Sequence, residues 1–183
     1  MIRAFVALAL PEALRFELML LQNGLPLPRP IPPENLHLTL VFLGEQPEPV
    51  IADLHLALER LRAPGFEVAL SGLDAFGGTR PRVVHVGVAA NPALAHLQAK
   101  VASAARAAGI AVEGRRYVPH VTLARLRPGE VDAGRFGRAL AARGAFAAPR
   151  FRADDFRLFR SRLGGGGAAY EELARYPLEP APD

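Results

Sequence analysis

Hydrophobic positions recur along this chain with two periods, one typical of helices and the other typical of strands. Val50, Ile51, Leu54, Leu58 and Leu61 fall on one helical face, whereas short apolar runs bounded by proline or glycine indicate strands. The pattern predicts helices over residues 11–23, 48–61, 92–108 and 131–143. It predicts strands over residues 2–10, 34–44, 66–73, 82–89, 117–126, 151–161 and 168–176, with the glycines at 164–167 at a hairpin tip.

Two of the predicted strands carry the same pattern of histidine, aliphatic residue, threonine and leucine, at residues 37–40 and 120–123. Because side chains alternate between the faces of a strand, the histidine and threonine of each copy share one face. The aliphatic residues share the other face and can join a core. A chain with five histidines rarely repeats such a pattern by chance. We therefore predict that the histidines and threonines of both copies converge on one small group.

The order of predicted elements in the second half of the chain partly repeats the order in the first half. No stretch of the sequence has the composition of a linker between domains. Together with the duplicated motif, this order predicts an α+β fold with pseudo-two-fold symmetry. Residues 1–183 would form one domain of two lobes, and each lobe would contribute one motif strand to a central groove.

Composition and charge narrow the class of protein. The 183 residues, half of them hydrophobic, suffice for a sizeable core, and the absence of cysteine excludes disulfides and thiolate metal sites. The apolar segment at residues 1–10 is short and runs into Pro11, which argues against a signal peptide or a membrane span. We expect a cytoplasmic protein without a membrane partner. Its net charge is +4 and its positive charges are nearly all arginines, which permits a phosphate-bearing partner.

Paired histidines and threonines suit acid–base chemistry on a phosphate. With an ordinary pKa of about 6.5, one imidazole can be neutral while the other is protonated. One ring can then take a proton from water while the other gives a proton to the departing oxygen. Threonine hydroxyls can hold the non-bridging phosphate oxygens, and an arginine can offset the developing charge. These residue types predict metal-free hydrolysis of a phosphodiester.

For several other residues the sequence does not decide the role. Paired histidines could bind a metal, but neither motif has a carboxylate or cysteine at its inward positions, so that metal site would be incomplete. His85 lies in a predicted strand and receives no assignment. The remaining candidates are Arg80, Arg82, Arg115 and Arg116, as nucleic-acid contacts or ordinary surface charges, and Phe42 and Phe76, as base-stacking or core residues.

Three segments together resemble a known family: residues 37–44, 119–125 and 156–161. They are similar to the 2H phosphoesterases, and among these to the RNA 2′,3′-cyclic phosphodiesterases, also called 2′-5′ RNA ligase-like proteins. The resemblance implies a bilobal α+β fold with two antiparallel sheets around a central groove, helices packed outside, and no metal or cofactor. It also implies opening of a terminal 2′,3′-cyclic phosphate on RNA to leave a 2′-phosphate. The reverse reaction would join RNA ends through a 2′-5′ bond without ATP.

When the family's residue roles are carried over by position, the resemblance implies that His37 is the proton donor to the leaving 3′ oxygen. It implies that His120 is the proton acceptor that activates water. Thr39 and Thr122 match the phosphate-binding hydroxyls, and Arg125 matches an arginine that follows the second motif. The partner would be RNA with a 2′,3′-cyclic phosphate end, bound by a monomer. Two alternatives stay open: a small cyclic nucleotide such as an ADP-ribose cyclic phosphate as the substrate, or a non-catalytic module that only binds RNA ends.

Overall fold

The computed structural model describes residues 1–164 and 167–180, which form nine strands and four α-helices. The middle of the predicted hairpin tip, residues 165 and 166, lies outside the described residues. The strands are β1 (Ile2–Ala9), β2 (His37–Gln46), β3 (Phe66–Val68), β4 (Leu70–Phe76), β5 (Val83–Val88), β6 (His120–Arg125), β7 (Phe151–Ala153), β8 (Asp155–Gly164) and β9 (Gly167–Pro177). The helices are α1 (Glu12–Asn23), α2 (Glu48–Glu59), α3 (Pro92–Ala107) and α4 (Ala133–Ala141).

Two antiparallel sheets hold these strands. Seven strands form the larger sheet, in the order β4-β5-β6-β2-β1-β8-β9, and β3 and β7 form the smaller one. The predicted α+β class with two antiparallel sheets is confirmed. The motif strands β2 and β6 are neighbours in the middle of the larger sheet. Since β1 flanks β2 and β5 flanks β6, the surroundings of the two motifs correspond to each other strand by strand.

Two of the predicted strands are each divided into two. The run at 66–73 is interrupted at Ala69, and the run at 151–161 is interrupted at Asp154. In both cases the chain passes from one sheet to the other, because β3 pairs with β7, whereas β4 pairs with β5 and β8 pairs with β1. A continuous apolar run does not reveal such a change of partner, so the prediction of single strands was wrong at these two places.

The core includes the apolar sides of the motif strands. Leu38 and Leu123 have almost no exposed surface, and α3 packs against β2. Helix α3 begins at a well-formed cap, because the side chain of Asn91 accepts a hydrogen bond from the Leu94 N–H at 3.0 Å. The other face of β2 and β6 is thereby left to the histidines and threonines. Within the described ranges, no helix is both long enough and apolar enough to cross a membrane.

Candidate active site

Both motif strands begin at their histidine, three residues later than the predicted starts at 34 and 117. The imidazole Nδ1 of His37 lies 2.7 Å from the carbonyl oxygen of Asn35, and that of His120 lies 2.7 Å from the carbonyl oxygen of Val118. A longer strand would pair these carbonyls with a neighbouring strand, but here each one accepts a hydrogen bond from a side chain. The prediction of longer strands was therefore wrong at both starts.

The shared anchor also determines which nitrogen of each ring can react. A carbonyl oxygen only accepts hydrogen bonds, so Nδ1 carries the hydrogen in both imidazoles. The other nitrogen, Nε2, is then the proton acceptor of the neutral ring and the proton donor of the charged ring. Both motif histidines present the same atom for acid–base chemistry.

The strand register brings the two motifs side by side. The second residues of the motifs pair with each other across β2 and β6, which run antiparallel. Continued by one residue in each direction, this register aligns His37 with Thr122 and Thr39 with His120. All four side chains are partly buried and lie on one face of the sheet. The structure therefore brings the two copies together.

Aromatic rings surround His37. Its imidazole stacks on the ring of Phe5 from β1, with ring centroids 4.7 Å apart and planes 29° from parallel. Tyr170 from β9 meets the imidazole edge-on, with centroids 5.2 Å apart. Because the face of an aromatic ring attracts a cation, this stack stabilises a protonated His37 by about 0.5–1 kcal/mol or more.

His120 has different neighbours. Phe76 from β4 and His85 from β5 both lie at steep angles to its ring, with centroids 5.0 Å and 5.3 Å away. Phe76 and His85 stack on each other, with centroids 3.9 Å apart. His120 therefore has a second imidazole beside it, whereas His37 is packed against a phenylalanine and a tyrosine.

Burial lowers the pKa of both motif histidines below the ordinary value, because desolvation disfavours the imidazolium. The hydrogen bonds to Asn35 and Val118 act in the opposite direction and raise the two pKa values. The positive charge of Arg125 lowers both, and a charged His120 lowers the pKa of His37. Neutral rings are thus favoured in the free protein, and an anion bound beside them would favour protonation of one ring.

A cavity of about 430 Å³ opens along β2 and β6. His37 lines a separate, smaller pocket of about 90 Å³. Arg80 and Arg82 lie at the connection between β4 and β5 and are exposed to solvent. The larger cavity is lined by both hydrogen-bonding groups and exposed aromatic rings, which include the candidates Thr39, His120, Arg125, Arg115, Arg116, Phe42 and Phe76.

The donor set at this site suits an anion better than a cation, because the carboxylate that also lines the larger cavity, Glu113, is paired with Arg115 at 2.9 Å. Guanidinium and hydroxyl groups donate hydrogen bonds to phosphate oxygens, and imidazolium does the same. In the part of the chain that the structure describes, no three histidine, aspartate or glutamate side chains gather as a metal site would require. The arrangement can hold a phosphate and deliver or remove protons beside it.

Residues 10–165 match the family model of the 2′-5′ RNA ligase superfamily. The chain belongs to this superfamily. An RNA 2′,3′-cyclic phosphodiesterase of Aeropyrum pernix is 38% identical over 107 residues, which are 57% of this chain and 60% of that protein. A protein of the same name from Thermus thermophilus is 38% identical over 136 residues, or 67% of this chain and 68% of that protein. These matches confirm the family expected from the three segments.

Solved structures of the superfamily share the fold. Escherichia coli LigT complexed with 3′-AMP superposes with a TM-score of 0.81 at 28% identity, covering 97% of this chain and 98% of that one. The chain spans 60%, 48% and 55% of the length of the relatives from Aeropyrum pernix, Geobacillus stearothermophilus and Bacillus subtilis. The likeness to LigT extends over nearly the whole length of both chains.

Among the residues that reach the site without a sequence prediction of their role are Phe5, His85, Tyr117 and Tyr170. The hydroxyl of Tyr117 donates a hydrogen bond to the carbonyl oxygen of Thr39 at 2.9 Å and so ties the segment before β6 to β2. The ring contacts of the other three depend on which strands are neighbours. The only signal in the sequence was His85, a histidine in an otherwise apolar strand.

Proposed function

We propose that this chain hydrolyses the terminal 2′,3′-cyclic phosphate of RNA to a 2′-phosphate, with paired histidines as acid and base and without a metal ion. One observation carries the proposal: two imidazoles on adjacent antiparallel strands, each with Nδ1 bonded to a backbone carbonyl and Nε2 left for proton transfer. The relatives named RNA 2′,3′-cyclic phosphodiesterase point to the same chemistry.

In this proposal His120 accepts a proton from water and His37 donates one to the leaving group. The water oxygen bonds to phosphorus while the bond from phosphorus to the 3′ oxygen breaks. The proton of the attacking water goes to Nε2 of His120, and the 3′ oxygen takes the proton from Nε2 of His37, so a 3′ hydroxyl and a 2′-phosphate result. One contact supports this direction: His37 stacks on the face of Phe5, which favours its charged form, whereas the ring neighbours of His120 are Phe76 and His85.

The substrate itself would restore the proton that burial removes. A cyclic phosphate diester carries one negative charge, and a negative charge beside two buried imidazoles raises the pKa of both. Mutual repulsion then limits the pair to one proton, which is the state the reaction needs. Thr39 and Thr122 would donate to the non-bridging oxygens, and Arg125 would offset the charge of the transition state.

The first experiment uses an RNA oligonucleotide that ends in a 2′,3′-cyclic phosphate, with EDTA present. We expect turnover to a 2′-phosphate, separated by chromatography from its 3′ isomer. His37→Ala and His120→Ala should each lower kcat by about 10²–10⁴-fold. His96→Ala is the matched control, because His96 is exposed on α3 and should leave kcat unchanged. Loss of activity with EDTA, or full activity in either motif variant, would refute metal-free paired catalysis.

A second substrate separates the acid from the base. A phosphodiester with a p-nitrophenolate leaving group needs little protonation of that group, so the variant that lacks the acid should regain activity on it. We expect recovery for His37→Ala and none for His120→Ala. Recovery in the opposite variant would reverse the two roles.

Other features of the proposal depend on the same assays. Faster turnover of a small cyclic nucleotide than of RNA would favour the alternative substrate, and binding of RNA ends without turnover would favour the non-catalytic module. Ligation in the reverse direction would appear as 2′-5′ joined product from a cyclic phosphate end and a 5′ hydroxyl.

We also propose that residues 1–183 act as one domain of two lobes, in a cytoplasmic monomer. The position of both motif strands at the centre of one sheet supports the single domain.

A further inference from the structure

His85 is a buried histidine next to the proposed base. It is one of two buried polar residues among those described, the other being Gln22, and only 6% of its surface is exposed. Its neighbours along β5 are valines. Burying an imidazole in an apolar strand costs free energy unless the ring is well bonded, but the contact of its Nδ1 with the Val83 carbonyl oxygen is long, at 3.4 Å. Its position therefore calls for an explanation beyond packing.

The rings around His85 form a compact cluster with His120. Phe76 lies flat on His85, with planes 16° from parallel and centroids 3.9 Å apart. His120 stands nearly upright against both rings, at 68° to His85 and 83° to Phe76. The stacked rings of Phe76 and His85, which lie on neighbouring strands, thus limit how far the His120 imidazole can tilt.

The other half of the site has no such histidine. In the sheet, His85 lies opposite Thr122, the threonine of the second motif. The residue opposite Thr39, the threonine of the first motif, is Ala7. The two motifs are alike, but the strand beside the second one adds an imidazole where the strand beside the first has a methyl group.

We propose that His85 is a positioning residue that acts through His120, holding its ring upright and sharing one proton with it. The inference rests on the proposed function, in which His120 is the base. When one proton is present on this pair, it spends part of its time on His85, and His120 then remains neutral and able to accept a proton from water. Activity should therefore decline gradually, and not abruptly, as the pH is lowered.

The charges around His85 and His120 are consistent with the sharing of one proton between these two rings. Burial lowers the pKa of both His85 and His120. A charged His120 lowers the pKa of His85. Asp74, which lies opposite His85 on β4, raises the pKa of His85. Arg125 lowers the pKa of His120, and the repulsion between charged His37 and charged His120 acts on the same ring. Two unit charges 5.3 Å apart should separate the two protonation steps by roughly one to two pH units, so only one proton is easily held.

The test is an NMR titration of the His120 ring in the whole protein, without substrate. We expect a His120 curve broader than a one-proton titration, with a matching change at His85. In His85→Phe, which keeps a flat ring against Phe76, the His120 curve should become narrower, because only the coupling to His37 remains. The control His96→Phe changes an exposed histidine and should leave the broad curve as it is. A one-proton curve for His120 in the unmodified protein, or a broad curve that His85→Phe leaves unchanged, would overturn the proposal.

Catalysis supplies a second readout. The logarithm of kcat/KM should fall with a slope below one on the acid side for the unmodified protein, and with a steeper slope for His85→Phe. His85→Leu, which loses the flat ring as well, should lower kcat further while KM stays within about twofold. Equal slopes in all variants would overturn proton sharing. Because the titration needs no turnover, absence of hydrolysis would refute the proposed function and leave the sharing of a proton separately tested.

Discussion

Gly87 offers a sharp test of how closely the sheet around the site is packed. It lies on β5 directly opposite His120. A Cβ atom added at Gly87 would be 2.9 Å from the carbonyl oxygen of Ser71 on β4, whereas ordinary contacts begin at 3.4 Å. Since the obstructing atom belongs to the backbone of a paired strand, Gly87→Ala must move β4 or β5 by about half an ångström.

The expected cost follows from two opposing effects. Overpacking of this kind typically destabilises a protein by about 1–3 kcal/mol. Replacing glycine by alanine also restricts the unfolded chain, which returns about 0.5–1 kcal/mol. We therefore expect Gly87→Ala to lower the free energy of unfolding by about 1–2 kcal/mol. Because the displaced strand carries His85 and adjoins His120, kcat should fall by roughly tenfold.

The assays are urea denaturation and turnover of the cyclic phosphate substrate. Gly137→Ala is the matched control, since a Cβ atom there meets nothing within 4 Å and the position lies inside α4. Alanine is the better helix former, so this variant should gain about 0.5–1 kcal/mol and keep its kcat. Gly87→Ala with the stability and kcat of the unmodified protein would refute the tight packing of β4 against β5.

Two further predictions concern buried titratable groups. The Tyr117 hydroxyl donates to the Thr39 carbonyl oxygen, so Tyr117→Phe should cost about 0.5–1.5 kcal/mol in urea denaturation and lower kcat. Tyr176→Phe, which loses a hydrogen bond to His55 on α2, should cost a similar amount and leave kcat unchanged; an equal loss of kcat would contradict a local role for Tyr117. Burial also lowers the pKa of the three site histidines, so the folded protein binds fewer protons than the unfolded chain between those pKa values and about 6.5. The free energy of unfolding should therefore be greatest above about pH 6.5 and fall as the pH is lowered through that window. Denaturation at about pH 7.5 and pH 5.5 measures this, and equal stability at both would contradict burial of neutral rings.

The motif strands were predictable because their evidence is local. A histidine and a threonine two residues apart share a face whatever the rest of the fold does, and the aliphatic residues between them indicate a buried side. The family followed from the same segments and is confirmed over residues 10–165. The α+β class followed from the order of helical and strand periods, which depends on local sequence in the same way.

Which strands pair with each other was not predictable from the sequence. This pairing explains most of the strand bounds and ring contacts that were not predicted. The breaks at Ala69 and Asp154 exist because the chain changes sheets there. The late starts of the motif strands depend on histidine side chains that take the place of a neighbouring strand at two carbonyls. Phe5 likewise reaches His37 only because β1 lies beside β2. Each of these depends on contacts between distant segments, which hydrophobic periodicity does not record.

Contacts with flanking strands also bear on how two nearly equivalent histidines can take different roles, one as the acid and the other as the base. Both motif histidines have the same anchor, the same free nitrogen and a threonine aligned with them, so the motifs alone give no reason for one to be the acid. The difference comes from flanking strands: the face of Phe5 lies against His37, and the imidazole of His85 lies beside His120. The aromatic face favours a charged His37, whereas a charge on His85 would disfavour a charge on His120. In a duplicated site of this kind, exchange of the flanking residues should therefore change the acid–base assignment more than any exchange within the motifs.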